Sequence, residues 1–295
     1  MIKPFLKWVG GKGRLLPFIL ENLPLDMQVW KATGEGVKQF VKFDFNYAEP
    51  FVGGGAVYFG MCDHYGGNPF DRVDLTDNNE RLMFAYSMVQ YNSDTLFPLL
   101  EKLHRKYYSI KTMEGRANFY YEMRGMFNGL SSHDEMSAAL LIFLNKTCYN
   151  GLYRTNRHGI FNVPFGKYKS PIIFDKDGLS DARSALCHIA VGHFDFGKTL
   201  QYIKSGTLVY VDPPFCSRFT AYQGSSFTTF DFARLMDYIQ DCDNKGARVM
   251  MSYDEDIRQF IDGDHGQWKC KPIDVKCTIS QSGSSNRTEY LIMNY

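Results

Sequence analysis

The sequence predicts an α/β protein with a helical block inserted between its strands. Three observations carry that prediction. Thr207-Leu208-Val209-Tyr210-Val211 is an apolar, β-branched run of strand length that stops at Asp212-Pro213-Pro214-Phe215. Phe45–Glu49 is a second such run; it leads into Pro50-Phe51-Val52-Gly53-Gly54-Gly55-Ala56 and an apolar helix start. From Leu82 to Leu144 the 3.6-residue period takes over and strand signals are scarce. In open α/β sheets ligands lie beyond the ends of the strands, so residues placed there are the first candidates for chemistry.

The length of 295 residues suits one large domain, or a core domain with an insertion. An ordinary apolar fraction of 44% fills a core, and 16% aromatic residues leave rings for stacking surfaces. No apolar run reaches membrane-spanning length and the N-terminus lacks a signal-peptide pattern, so no membrane partner is expected. Seven cysteines form neither a CxxC pair nor a Cys/His ligand spacing. That predicts free thiols, a reducing cytoplasmic compartment and no metal site. Cys216, beside the two prolines, reads as an inert thiol. The net charge of +1 does not by itself point to nucleic acid, but its distribution does. Met1–Leu20 carries Lys3, Lys7, Lys12 and Arg14 with no acid; Ser137–Phe174 carries Lys146, Arg154, Arg157, Lys167 and Lys169, again with none. Two acid-free basic stretches in a neutral chain mark a local polyanion footprint, against the alternative of a solvated basic face.

Taken in order, Trp8 and Lys12 flank Gly10-Gly11 as an aromatic plate and a cation around a tight bend. This is no P-loop, since the preceding glycine and the following Ser/Thr are missing. A short helix is expected over 15–23 and a surface loop over 24–44. The glycine run 53–55 between a strand and a helix has the layout of a cofactor turn, exposing helix N–H groups. It lacks the third glycine of a nicotinamide fingerprint. A strand at 71–76 ends at Asp77, placed either to hold a ribose diol or to cap the next helix. Helices are expected at 80–91, 94–107, 115–127 and 134–147. Residues 145–169 mix Gly, Asn, aromatic and basic residues without a period, as an exposed hairpin or loop does. Arginine there can read a guanine edge, and tyrosine can wedge into a base stack. A helix at 179–187 and a strand at 188–191 follow, with Phe194 at the strand's end. His193 reads as structural. After the strand 207–211, a polar and aromatic stretch 216–229 reads as a mobile lid. A helix at 230–243, a strand at 247–252, a helix at 255–261 and strands at 267–279 and 288–294 complete the chain.

The tetrapeptide at 212–215 has a chemical logic. A carboxylate accepts a hydrogen bond from an amine, proline carbonyls are held rigidly and are free to accept, and a ring face stacks on a planar base. Its bland counterpart is a strand followed by a Pro-Pro turn.

FLKWVGGK, EPFVGGG, the Asp77 turn, NGLYR, FNVPFGKYK, DPPF and FTAYQGSSFT, in this order over nearly the whole chain, resemble the Dam-type DNA adenine-N6 methyltransferases. The resemblance implies a Rossmann-like class I methyltransferase sheet of seven strands with an inserted helical target-recognition domain. It implies a catalytic domain over 1–80 and 176–295 and a recognition domain over 81–175. It implies S-adenosylmethionine as cofactor, S-adenosylhomocysteine as product, no metal, and double-stranded DNA as partner. Trp8, Lys12, Phe51, Gly53, Gly55, Asp77, Phe194 and Asp212 match cofactor positions. Lys7, Leu152, Arg154, Pro164 and Tyr168 match readers of GATC, and Tyr149 and Asn150 match residues at the flipped base. Asp212, Pro213, Pro214 and Phe215 match the catalytic motif, although the family usually has tyrosine where Phe215 stands. A partner restriction endonuclease is compatible with this resemblance. Three rivals remain at this level: a methyltransferase-like DNA-binding protein without turnover, a methyltransferase for protein amides (usually with Asn in place of Asp212), and a nicotinamide oxidoreductase.

Overall fold

The computed structural model describes residues 1–24, 29–32, 40–214, 227–260, 268–277 and 285–295. In chain order the elements are α1 (Leu16–Glu21), β1 (Val29–Ala32), β2 (Phe40–Phe43), β3 (Tyr47–Glu49), α2 (Ala56–Tyr65), β4 (Val73–Asp77), α3 (Glu80–Tyr91), α4 (Ser93–Ser109), α5 (Met113–Gly129), α6 (Glu135–Thr147), α7 (Lys176–Leu186), β5 (Ala190–His193), α8 (Phe196–Thr199), β6 (Leu208–Val211), α9 (Thr229–Asn244), β7 (Arg248–Tyr253), β8 (Lys269–Cys277) and β9 (Ser285–Met293). One sheet of seven strands has the order β5-β4-β3-β6-β7-β9-β8. β4, β3, β6 and β7 run parallel to one another; β9 pairs antiparallel with β7, and β8 antiparallel with β9. This is the mixed α/β, mostly parallel sheet of seven strands that the resemblance implies. β6 occupies the middle, and all four of its residues are buried. Its apolar run without alternation is what a parallel strand covered on both faces requires.

The chain forms two compact units: Met1–Gly13, Gly53–Asn68 and Asn79–His193 make the first, and Arg14–Val52, Pro69–Asn78 and Phe194–Tyr295 the second. In the first, α6 is the central rod. Asp134 caps it by accepting from the Met136 and Ser137 N–H groups (2.8 and 3.2 Å), and every residue from Ser137 to Asn145 is buried. A helix apolar on all sides has to be interior. Arg81 of α3 closes the end of α5 by donating to the Phe127 and Leu130 carbonyls (2.8 and 2.7 Å) and to Ser137 Oγ (2.9 Å). In the second unit, Val209 and Val211 of β6 with Val249 and Met251 of β7 share a core with Leu235, Ile239 and Cys242 of α9. Each fully buried aliphatic chain of this kind contributes about 1.5–3 kcal/mol. A reciprocal capping box between Thr228 and Asp231 starts α9.

Three expectations are corrected. Within the segment read as a loop, β1 and β2 pair antiparallel, Val29 opposite Phe43 and Ala32 opposite Phe40. The glycines at 34 and 36 drew attention away from the β-branched and aromatic residues on either side. The helix expected at 255–261 is, among the described residues, a single 3-10 turn at Arg258–Phe260. Asp256 accepts from the Arg258 N–H (3.2 Å), a local bond that competes with helix. The cap of α3 is Asn79, whose side chain accepts from the Leu82 N–H (3.1 Å), so Asp77 does not serve as that cap.

Candidate active site and nucleic-acid interface

In the second unit, three parallel strands end at residues that sequence inspection singled out. β6 stops at Val211, and Asp212 follows half-buried, then buried Pro213 and exposed Pro214. One residue inside the strand, the Tyr210 hydroxyl lies 2.7 Å from Ser252 Oγ of β7. Burial drives the Tyr210 phenol well above its ordinary range, and the Asp212 carboxylate pushes the same way. Tyr210 therefore stays neutral beside the Asp212 charge. Phe215 and the stretch to Ser226 lie outside the described residues. Beyond β3, the Phe51 ring stacks on Phe196 (5.2 Å, 30°) and meets Phe227 edge-on (6.2 Å). Beyond β4, Asp77 is half-buried and its carbonyl accepts from the Phe194 N–H at 3.2 Å. This main-chain bond joins two residues 117 positions apart, one bearing a carboxylate and the other an aromatic ring. Such a pair suits a sugar diol and a planar base.

In the first unit, Trp8–Gly11 is a β-turn closed by the Gly11 N–H on the Trp8 carbonyl (3.2 Å). Gly10 takes φ +80° at its third position, where a side chain is disfavoured. A methyl group on Gly11 would lie 3.8 Å from Ala56 Cβ, so this turn abuts the start of α2. Lys12, next in sequence, is buried. Gly53 (φ +49°) lies under the Trp8 indole: a methyl group there would sit 2.7 Å from Cδ1. A methyl group on Gly55 (φ +72°) would meet the Tyr86 hydroxyl at 2.7 Å and the Phe59 ring at 2.8 Å. The close approach that these glycines permit is therefore by the protein's own rings. α2 begins with no side-chain cap and no acidic residue in its first turn.

The basic segment forms a hairpin-like loop in the same unit. Cys148 bridges to Phe165 and Thr155 to Phe161, both antiparallel. The Tyr149 N–H donates to the Pro164 carbonyl (2.9 Å), and the Asn162 N–H to the Arg154 carbonyl (3.1 Å). Helix α5 holds the returning limb. The Tyr120 hydroxyl and Arg124 guanidinium both donate to the Val163 carbonyl (2.7 and 3.1 Å), and Asn128 bonds the Phe161 carbonyl and N–H (3.1 and 2.9 Å). Arg154 is exposed, and its Nε donates to Asn162 Oδ1 at 2.7 Å, which sets the guanidinium plane. Tyr149, Asn150 and Pro164 are exposed; Leu152 and Tyr168 are half-buried. The Tyr168 hydroxyl accepts from the Asn150 N–H (2.9 Å), and the Lys7 ammonium sits 4.7 Å above the Tyr168 ring.

Asn145 fixes Lys7. Its amide oxygen accepts from the Lys7 N–H (2.8 Å), and its amide nitrogen donates to the Lys7 and Gly151 carbonyls (2.7 and 3.1 Å). Sequence inspection gave no role to Asn145, Asn128, Arg124 or Tyr120. For Asn145 a signal existed, since a polar amide closes the otherwise apolar run 138–144 and must find partners there. The α5 side chains carried none, because their partners are main-chain atoms distant in sequence. The structure brings together Lys7, Tyr149, Asn150, Leu152, Arg154, Pro164 and Tyr168 in one unit with Trp8, Lys12, Gly53 and Gly55. Phe51, Asp77, Phe194, Asp212, Pro213 and Pro214 belong to the other.

A family model for D12 class N6 adenine-specific DNA methyltransferases matches residues 8–273. The chain belongs to that family. It is 37% identical to the Type II methyltransferase M.MjaIII of Methanocaldococcus jannaschii, an alignment covering all of this chain and 99% of the relative. It is 28% identical to the DNA adenine methylase of Escherichia coli strain K12, over 97% of this chain and 92% of that protein. It is 29% identical to the DNA N-6-adenine-methyltransferase of Escherichia phage P1, over 96% of this chain but 34% of that longer protein. The chain is thus an enzyme that methylates adenine N6 in DNA, and membership of the family implies S-adenosylmethionine as methyl donor. The nicotinamide and protein-amide alternatives fall away. Among the described residues no helix is long and apolar enough to cross a membrane.

Proposed function

We propose that the enzyme methylates adenine N6 within GATC in double-stranded DNA, after rotating the target base out of the stack. The observation that carries the chemistry of this reading is the end of β6: a half-buried carboxylate, Asp212, followed by the buried, N–H-less Pro213 at the end of the central strand of the sheet. An adenine amine inside a duplex is out of reach of a group fixed at a strand end. The base has to leave the helix, at a cost of about a few kcal/mol. The Asp212 carboxylate and Pro213 carbonyl then accept the two N6 hydrogens and draw the nitrogen lone pair out of ring conjugation. The proton that N6 sheds leaves along the Asp212 hydrogen bond. Pro214 fixes the turn, and Phe215 offers the ring face for the base; the tyrosine usual at that position would add only a hydroxyl. S-adenosylmethionine, when bound, supplies an electrophilic methyl group. The residues present suit that cofactor. In the second unit Asp77 and Phe194 offer a carboxylate for a ribose diol and a ring for adenine, with Phe51 stacked on Phe196, two residues beyond Phe194. In the first, Trp8, Lys12 and the Gly53–Gly55 entry to α2 offer a plate, a cation and helix N–H groups for a carboxylate.

The recognition domain is assigned to residues 81–175, with residues 1–80 and 176–295 as the catalytic domain. Lys7, Leu152, Arg154, Pro164 and Tyr168 read the bases, while Tyr149 and Asn150 fill the space that the flipped base vacates. A DNA substrate favours a cytoplasmic setting, bacterial or viral within a host cell, and the likeness to a Type II methyltransferase favours a cognate restriction endonuclease as a partner. The test is transfer of label from S-adenosylmethionine to two short duplexes, one holding GATC and one GATT. Label in the first alone is expected. Equal label in both would remove GATC and the assignment of the readers while leaving the chemistry.

A further inference from the structure

Tyr153 lies between two proposed readers, Leu152 and Arg154, yet its side chain faces another part of the site. Its ring stacks on the Trp8 indole (5.6 Å, 19° between planes). On the hairpin's own side it packs against Phe161 (5.7 Å). Burial raises its phenol above the ordinary value, against the opposing influence of Arg81 and of Asn79, the cap of α3. The Trp8 indole in turn covers Gly53 so closely that no Cβ fits there, and the Gly53 carbonyl accepts from the Tyr86 hydroxyl at 3.0 Å. A continuous packed path therefore runs from the main chain of the reading hairpin, through two stacked rings, to the glycine turn that opens α2. All of it lies within one compact unit.

We infer that Tyr153 is a positioning residue that couples cofactor binding to base reading. The inference rests on the assignment of the Gly53–Gly55 turn to the cofactor and of Arg154 to the DNA. A ligand held by the uncapped start of α2 fixes the turn and hence the indole lying on it. The indole fixes the Tyr153 ring, and that ring is one peptide away from the Arg154 guanidinium. Motion quenched by the first ligand is not paid for again by the second, which yields positive cooperativity without a change of fold. Linkage makes the effect reciprocal, so DNA must tighten cofactor by the same factor that cofactor tightens DNA.

The experiment measures the Kd of a GATC duplex with and without saturating S-adenosylhomocysteine, and the Kd of S-adenosylhomocysteine with and without duplex. The wild type, Tyr153→Leu and Tyr153→Phe are compared after circular dichroism has shown each to be folded. In the wild type both ratios should agree at about fivefold or more, the lower end of typical coupling between sites. Tyr153→Phe keeps the stack and should keep the coupling. Tyr153→Leu should bind each ligand alone but bring both ratios to within about twofold of unity. A folded Tyr153→Leu that retains the wild-type ratio overturns the inference, as does a Tyr153→Phe that loses it. A wild type that binds both ligands without coupling also overturns it while sparing the proposed function. A wild type that binds neither removes both.

Discussion

The end of β6 and the hairpin proposed to read the bases are held by different physics. Asp212 and Pro213 inherit their position from a buried parallel strand, whose main chain is paired on both sides and whose side chains sit in a continuous core. The hairpin 148–165 has two isolated bridges and no long ladder. Its shape comes from side chains of α5 and α6 that reach across to its carbonyls and amides. The first arrangement resists change because it is part of the sheet. The second can be retuned one hydrogen bond at a time, which suits a surface that has to discriminate sequences. Chemistry and reading should therefore separate under mutation.

The largest effect is expected at the strand end. Asp212→Ala should lower kcat by at least about a hundredfold, the cost typical of losing one preorganised polar group at a reacting centre. Duplex binding measured by anisotropy should keep its sequence preference; if that preference vanished as well, the two regions would not be separable. Arg154→Ala should do the reverse. Turnover on GATC continues, and discrimination against duplexes altered at an outer base falls by about 1–3 kcal/mol in kcat/KM. Unchanged discrimination would remove Arg154 as a reader. Asn128→Ala sharpens the contrast, because Asn128 never faces DNA in this scheme. Losing its two bonds to Phe161 should cost about 1–3 kcal/mol of stability in urea unfolding and weaken duplex affinity more than cofactor affinity.

The smallest effect is a pH slope at Lys146. Burial and neighbouring Lys7 push its ammonium down to about 8, with Asp175 pulling the other way. Between that value and the usual 10.5 the unfolded chain binds more protons than the native one, so stability rises with pH in that window. Below about pH 8 both states are protonated and the full penalty of the buried charge remains. The slope should be less than about 1.4 kcal/mol per pH unit. Lys146→Met should flatten urea midpoints measured from about pH 8 to 10; an unaltered slope would mean that Lys146 is fully hydrated.

Legibility followed the same division. Strand ends, glycine turn and helical block were readable, because each depends on residue types adjacent in the chain. The β1–β2 pair was not, since two short runs become strands only by finding each other. The sequence by itself determined the α/β class, the insertion of helices, the Asp212 tetrapeptide and the two basic stretches. These rest on local periodicity, fixed proline geometry and composition. Only the tertiary structure decided that Asn79 rather than Asp77 caps α3, and that Gly53 and Gly55 make room for Trp8, Phe59 and Tyr86. It also decided that the Asp77 carbonyl meets the Phe194 N–H, that Asn145 pins Lys7, and that Tyr153 turns from the proposed readers to the Trp8 indole. Apart from the Asn79 cap and the approach of Phe59 to Gly55, which are local, each of those is a contact between residues far apart in the chain. Its existence depends on how helices and strands pack, and no local pattern of residue types encodes that.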